Sequence, residues 1–300
     1  MAQSVAISAL AKLNLFLRVL SRHEDGFHGL ETLLCLIDLG DTLQAERKEG
    51  RGVTIQVEGA DVGPPEQNLA VRAAARVLEA TGNRFAIHLT LVKRIPVRSG
   101  LGGGSSDAAA ALHAANHLAG NVVPRHELLQ VAGHLGSDVP FFFTGAPLAL
   151  AWNRGERMIR LPALPATPAL LVTPRVAVAT ADAFAWLDAD RGSSFRRAAL
   201  ALDLDAVSRW GDIGRMAGND FESPVFGHHR EIREAFEALV GTRPLVCRMT
   251  GSGSTLFAIY RSARDREDAA MMLGQKYGTV TPVNTVASLA PAIQPAATVT

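Results

Sequence analysis

Residues 95–109 read IPVRSGLGGGSSDAA, from Ile95 to Ala109, and this stretch decides how the rest of the chain is to be read. Gly100, Gly102, Gly103 and Gly104 fall within five residues, Ser105 and Ser106 follow, and an alanine-rich run begins at once. Glycines let a backbone pass close to a ligand and adopt positive φ. The serines are expected to cap the helix that follows, whose first N–H groups lack intrahelical partners and present partial positive charge to an anion. The composition is that of a turn that holds phosphate; a plain surface loop would not be joined to so regular a helix.

Two familiar phosphate-binding loops are excluded by letter. A Walker A loop ends in Gly-Lys-Ser/Thr, and here Gly104 is followed by Ser105 and Ser106. A dinucleotide fingerprint begun at Gly100 meets Ser105 where its third glycine belongs, and one begun at Gly102 meets Asp107.

The chain has 300 residues, 48% hydrophobic and 20% charged, which is the composition of a soluble protein with room for two cores. Thirty basic against 29 acidic residues leave a net charge of +1, so no bulk field favours nucleic acid or a membrane surface, and a phosphate partner has to be held locally. Cys35 and Cys247 are the only cysteines, too few for a disulfide framework and without zinc spacing; they read as buried thiols. Lys12, Asn14 and Arg18 interrupt the apolar N-terminal run, no signal peptide is expected, and no membrane-span-length apolar run occurs, so the expected compartment is the cytoplasm.

Alternation makes strands of 5–20, 53–57 and 85–92, with 23–29, HEDGFHG, as a polar loop between the first two. Helical spacing marks 68–82, 107–118, 127–135, 181–187, 230–240 and 264–277. Strands are expected at 170–172, 245–250 and 255–260, with a second glycine turn at Gly251-Ser252-Gly253. Pro162, Pro165 and Pro168 stiffen 160–169 into the expected domain boundary, which gives domains at 1–160 and 168–287 and a disordered tail at 288–300.

A glycine turn opening a helix binds phosphate, and Asp138, between a helix end and the apolar run Val139 to Phe143, could accept a proton from a substrate hydroxyl. From its own segment Asp138 reads equally well as a helix cap or turn residue. Phosphoryl transfer needs positioning and charge neutralisation more than covalent chemistry, so a cation is wanted beside the aspartate. Lys12 is the candidate, against the plainer reading of a solvated lysine at a strand edge.

Taken together, IPVRSGLGGGSSDAAAAL, AKLNLFLRV, DGFH, GSDVPFF and MTGSG resemble the GHMP kinase superfamily from about Ala11 to Val283, and within it the branch acting on a cytidine-diphosphate-linked methylerythritol. The resemblance implies an α+β, two-domain fold: an N-terminal domain like ribosomal protein S5 domain 2 and a ferredoxin-like C-terminal domain, with the site in the cleft between them. It implies transfer of the ATP γ-phosphate to the 2-hydroxyl of that substrate in non-mevalonate isoprenoid biosynthesis. Lys12 and Asp138 fall on the catalytic pair. Pro96, Val97, Arg98, Ser99, Gly100, Leu101, Gly102, Gly103, Gly104, Ser105 and Ser106 fall on the ATP-phosphate loop, and Asn68 and Lys93 on the adenine side. Asn14, Phe27, His28, Thr180 and Phe184 fall on the substrate site, the aromatic rings as a cytosine clamp. Mg²⁺ is expected with ATP, without assigned protein ligands.

Departures stand beside the matches. Phe27 occupies a position where tyrosine is usual, so a ring remains and a phenolic hydrogen bond is lost. Arg98 could grip ATP or face solvent, and Asp107 would repel a triphosphate unless Mg²⁺ or its rotamer shields it. His228-His229 has no third ligand at metal spacing, and Asn219-Asp220-Phe221-Glu222 is explained by capping and packing. The rivals are another GHMP kinase, for homoserine or mevalonate, and a non-catalytic nucleotide- or RNA-binding module of the same fold; the pairing of Lys12 with Asp138 disfavours the last.

Overall fold

The computed structural model describes residues 3–22, 26–192, 198, 200–289 and 294–295. Along the chain run β1 (Ser4–Arg22), β2 (His28–Lys48), β3 (Gly52–Glu58), α1 (Leu69–Ala80), β4 (Ala86–Val92), α2 (Gly103–Leu118), α3 (Arg125–Leu135), α4 (Val139–Thr144), β5 (Leu148–Asn153) and β6 (Arg157–Arg160). The second half contributes β7 (Pro168–Thr173), α5 (Thr180–Arg191), α6 (Trp210–Met216), α7 (Glu222–His228), α8 (Arg230–Gly241), β8 (Val246–Met249), β9 (Leu256–Ile259), α9 (Ala263–Leu273), β10 (Thr279–Asn284) and β11 (Gln294–Pro295). Of the loop at 23–29, positions 23–25, including the Asp25 of the DGFH motif, lie outside the described residues; so do 290–293 and 296–300 of the segment read as a tail, while Gln294–Pro295 pairs with Val5 and Ala6.

The first sheet has the order β11-β1-β2-β4-β3, with β5 and β6 added along β2. Strand β2 is shared: its first half, Leu30 to Cys35, pairs with β5, and its second, Thr42 to Lys48, with β4. Two layers of alanine make the cover of this sheet possible. Helix α1 turns Ala70, Ala73, Ala74, Val77 and Leu78 inward, and α2 buries Ala108 through Leu112, so the two helices lie close against each other and on the sheet. The second sheet, β10-β7-β9-β8, carries α5, α7, α8 and α9, whose apolar faces meet Leu170, Val172, Leu256 and Ala258.

The two sheets are stitched together. Residues 161–167 carry no regular element and lead from β6 into β7. Beside them Ala11, Leu13 and Leu15 of β1 and Cys35 of β2 share one buried cluster with Ala169, Leu171, Val246, Phe257 and Ile259 of the second sheet. Backbone bonds cross as well: Leu17 N–H to Gly218 O at 2.8 Å, Asp220 N–H to Leu17 O at 3.0 Å, and Val286 N–H to Leu36 O at 3.0 Å. The last helix stops at Leu273, because Gly274 at φ +52 leaves the helical region, short of the 277 that spacing alone predicts. Cys35 and Cys247 are buried thiols, as their count suggests.

Candidate active site

The glycine turn is shaped by what it must clear. Gly100 has φ +79, and a Cβ there would stand 2.1 Å from the carbonyl oxygen of Thr250 in the second sheet's glycine turn. Gly102, at φ +75, is the residue before the helix; a Cβ on it would meet the Phe142 ring at 2.8 Å and Lys12 Cγ at 3.1 Å. These two glycines let the loop lie against Lys12 and the 250–253 turn, while Gly104 is exposed at the first turn of α2. The helix begins at Gly103, so Ser105 and Ser106 lie inside it and the N-cap, Gly102, offers no side-chain bond. The serines therefore do not cap it, because the left-handed glycine has already turned the chain into the helix before they arrive. The first N–H groups of a four-turn helix are left to face a ligand.

Lys12 sits in β1 between two register shifts, after Leu10 and after Asn14, which is how one strand turns the lysine and the asparagine toward the loop. It is 3% exposed, so it is not a solvated edge lysine. Its backbone N–H bonds Leu101 O at 3.0 Å, its Nζ donates to Asn14 Oδ1 at 2.5 Å, and the Asp138 carboxylate lies 3.7 Å away. Burial pulls the Lys12 pKa down, and the Asp138 charge opposes that pull. Asp138 precedes α4 but makes no capping bond, which frees its carboxylate for Lys12 and, being 37% exposed, for a ligand. Asn14 is wholly engaged: Oδ1 accepts from Lys12, Thr250 and Gly251 N–H (2.8 Å), and Nδ2 donates to Thr32 at 2.8 Å.

Lys93 and Asn68 are placed by the protein itself. Asn68 Oδ1 accepts from Ala70 N–H at 2.9 Å and caps α1. Lys93, whose Nζ lies 3.2 Å from the Cβ position of Gly103, is a buried strut beneath the turn: it donates to Asp41 and, at 2.7 Å, to Asp107. The rotamer thus takes Asp107 away from the loop's outer face. Arg98, at φ +55, is exposed, while Ser99 is buried and donates to Pro96 O at 2.6 Å. Among the described residues no three His, Cys, Asp or Glu side chains converge in a cluster that could hold a metal ion.

At the other end of β1–β2, His28 and Phe184 stack at 5.1 Å between centroids, and His28 Nε2 bonds Asp188 at 2.8 Å. Phe184 also meets Phe221 edge-on at 4.8 Å, and Phe27 is exposed with the Arg154 guanidinium 4.2 Å above its ring. Thr180 opens α5 and shares a 2.9 Å hydrogen bond with Ser252. Sequence reasoning left the 250–252 turn, Asp41 and Asp188 without roles; only the glycines of the turn gave a signal. Asn219 and Glu222 do pack and brace, as their reading expects: Asn219 donates to Met249 O and Gly251 O at 2.7 and 2.8 Å, and Glu222 accepts from Met249 N–H at 2.9 Å.

Residues 68–146 match the family model "GHMP kinases N terminal domain" and 198–279 match "GHMP kinases C terminal". A 4-diphosphocytidyl-2-C-methyl-D-erythritol kinase of Solibacter usitatus is 39% identical over 273 residues, covering 90% of this chain and 85% of that one. The chain belongs to the 4-diphosphocytidyl-2-C-methyl-D-erythritol kinase family. A second member of this family, from Paraburkholderia phytofirmans, is 39% identical over 90% of both chains. A crystal structure of 4-(cytidine 5'-diphospho)-2C-methyl-D-erythritol kinase is 33% identical with a TM-score of 0.78, covering 93% of this chain and 98% of that one. A homoserine kinase from Cytophaga hutchinsonii, 22% identical with a TM-score of 0.69, shares the fold. The two-domain α+β architecture of GHMP kinases is therefore the architecture of this family member, and no described helix is long and apolar enough to cross a membrane.

Proposed function

We propose that this chain transfers the γ-phosphate of ATP to the 2-hydroxyl of 4-diphosphocytidyl-2-C-methyl-D-erythritol, a step of non-mevalonate isoprenoid biosynthesis carried out in the cytoplasm. The observation that carries the reading is the Lys12–Asp138 pair, 3.7 Å apart and set beside the open N-terminus of α2. The first turn of α2, with Pro96 to Ser106, binds the polyphosphate, and Asn68 and Lys93 support that site from behind, as the cap of α1 and the strut beneath the turn. Asp138 takes the proton of the attacking hydroxyl, and Lys12 steadies that carboxylate and the negative charge gathering on the transferring group. Mg²⁺, bound with ATP, supplies further neutralisation of that charge.

Residues 1–160 supply the ATP loop and the catalytic pair, and 168–287 supply Thr180, Phe184 and the 250–253 turn. The cytosine is recognised by Phe27, His28 and Phe184. His28 and Phe184 touch at 5.1 Å, short of the roughly 7 Å that a base between two rings requires, so the base stacks on an outer face of this pair. The deciding experiment compares ATP turnover on the cytidine diphosphate substrate, homoserine and mevalonate. Turnover of the first alone is expected; activity confined to either of the others would overturn the substrate assignment, and none on any would favour a nucleotide-binding module.

A further inference from the structure

The reaction as proposed makes no use of Asp107, yet this carboxylate sits in unbalanced surroundings directly behind the glycine turn. Lys93 Nζ donates to Oδ2 of both Asp41 and Asp107, so one ammonium serves two buried carboxylates and a negative charge is left over. The two acids are not equivalent. Asp41 Oδ1 accepts the backbone N–H groups of Arg94 and Ile95 at 2.6 and 2.8 Å. Asp107 Oδ1 is buried without any donor. Among the described residues, the charged groups that bear on Asp107 are Lys93, just after β4, and Asp41 of β2. Of the two, Asp107 is the acid whose charge is poorly stabilised. Burial pushes it up to about 7, with Lys93 pulling the other way.

Position adds the second half of the argument. Asp107 is the fifth residue of α2, and the Lys93 ammonium that holds it is 3.2 Å from the Cβ position of Gly103. An anion docked on the first turn of the helix therefore shares the positive end of the helix dipole and the Lys93 field with Asp107. Bringing a polyphosphate to that turn raises the cost of a charged Asp107.

We propose that Asp107 is a positioning residue whose carboxyl takes up a proton from solvent when a nucleotide polyphosphate docks on the first turn of α2, and returns it when the nucleotide leaves. The bound cluster is then an ion pair of Asp41 and Lys93 beside a neutral Asp107. This inference rests on the reading of 96–106 as the ATP loop. Proton uptake on binding makes affinity fall as pH rises, so the KM for ATP increases above neutral pH.

The test is calorimetric titration of the full-length protein with Mg²⁺ and the β,γ-imido analogue of ATP, in buffers of different ionisation enthalpy at pH near 7.5. If binding raises the Asp107 pKa by about one unit, wild type takes up about half a proton more per nucleotide than Asp107→Asn. Protonation of the nucleotide itself is common to both proteins and cancels. Equal uptake by the two would overturn the proposal while leaving the ATP loop in place; absence of nucleotide binding by wild type would remove both. Should Asp107→Asn fail to fold, infrared difference spectra of wild type labelled at its aspartate carboxyls give the answer directly. A protonated-carboxyl carbonyl stretch must appear on adding the nucleotide, and an unchanged spectrum would refute the assignment.

Discussion

Lys12 and Asp138 face each other across very different exposures, 4% and 37% for their side chains, and the difference suits the separate roles proposed for them. The buried lysine is fixed by Asn14 and Leu101, whereas the aspartate keeps part of its carboxylate open to solvent, as the proposed proton acceptor needs. Asp138→Asn is expected to lower kcat by roughly 10²–10⁴-fold with nucleotide affinity retained, measured by steady-state kinetics beside a binding titration. Gly100→Ala tests the loop's other demand. Its Cβ would lie 2.1 Å from Thr250 O at a φ of +79, so the junction of the two sheets must shift, and thermal unfolding should show a Tm lower by several degrees. The pair was legible in the sequence because AKLNLFL and GSDVPFF carry it as motifs. Asp41 and Asp188 were not, because each is defined by a partner 52 or 160 residues away that no local pattern announces.

Among the elements, legibility followed the number of covered faces. Helices α1 and α8 bury one face each and could be read from spacing, whereas β2, 21 residues long, pairs with β5 in its first half and β4 in its second, so no single alternation runs through it. The α2 start was misplaced for a related reason: glycines signal a turn, and Gly103 and Gly104 are here the helix itself. The 250–253 turn is an element held from outside, by Asn219 on two carbonyls, Glu222 on the Met249 N–H and Asn14 on the Gly251 N–H. Asn219→Ala removes three hydrogen bonds, the two to carbonyls and the one its Oδ1 accepts from Phe221 N–H, and is expected to cost about 1–3 kcal/mol in denaturant unfolding. Because Lys12 Nζ is 3.4 Å from the Cβ position of Gly251, kcat should fall as well, more than the KM for either substrate changes.

At the scale of the whole molecule, two buried acids outside the proposed catalytic pair shape the response to pH. Burial raises both Asp107 and Glu222 to about 7, from ordinary values of 3.8 and 4.5. A folded-state pKa above the unfolded one means that the folded protein binds the extra proton, so this contribution is complete below the unfolded values and is lost as pH rises to about 7. Double replacement by Asn and Gln should therefore leave a protein that loses less stability than wild type between about pH 5 and pH 8, compared by denaturant midpoints at each pH. The proline-rich stretch 161–167 looks in the sequence like a place to cut. The cluster that joins Leu13 and Cys35 to Leu171 and Phe257, and the bonds of Leu17 to 218–220 and of Leu36 to Val286, pass around it. Separately expressed halves, ending and beginning in that stretch, would each expose apolar surface that only the other covers. They should regain activity by complementation on being refolded together, with neither half giving a cooperative unfolding transition alone.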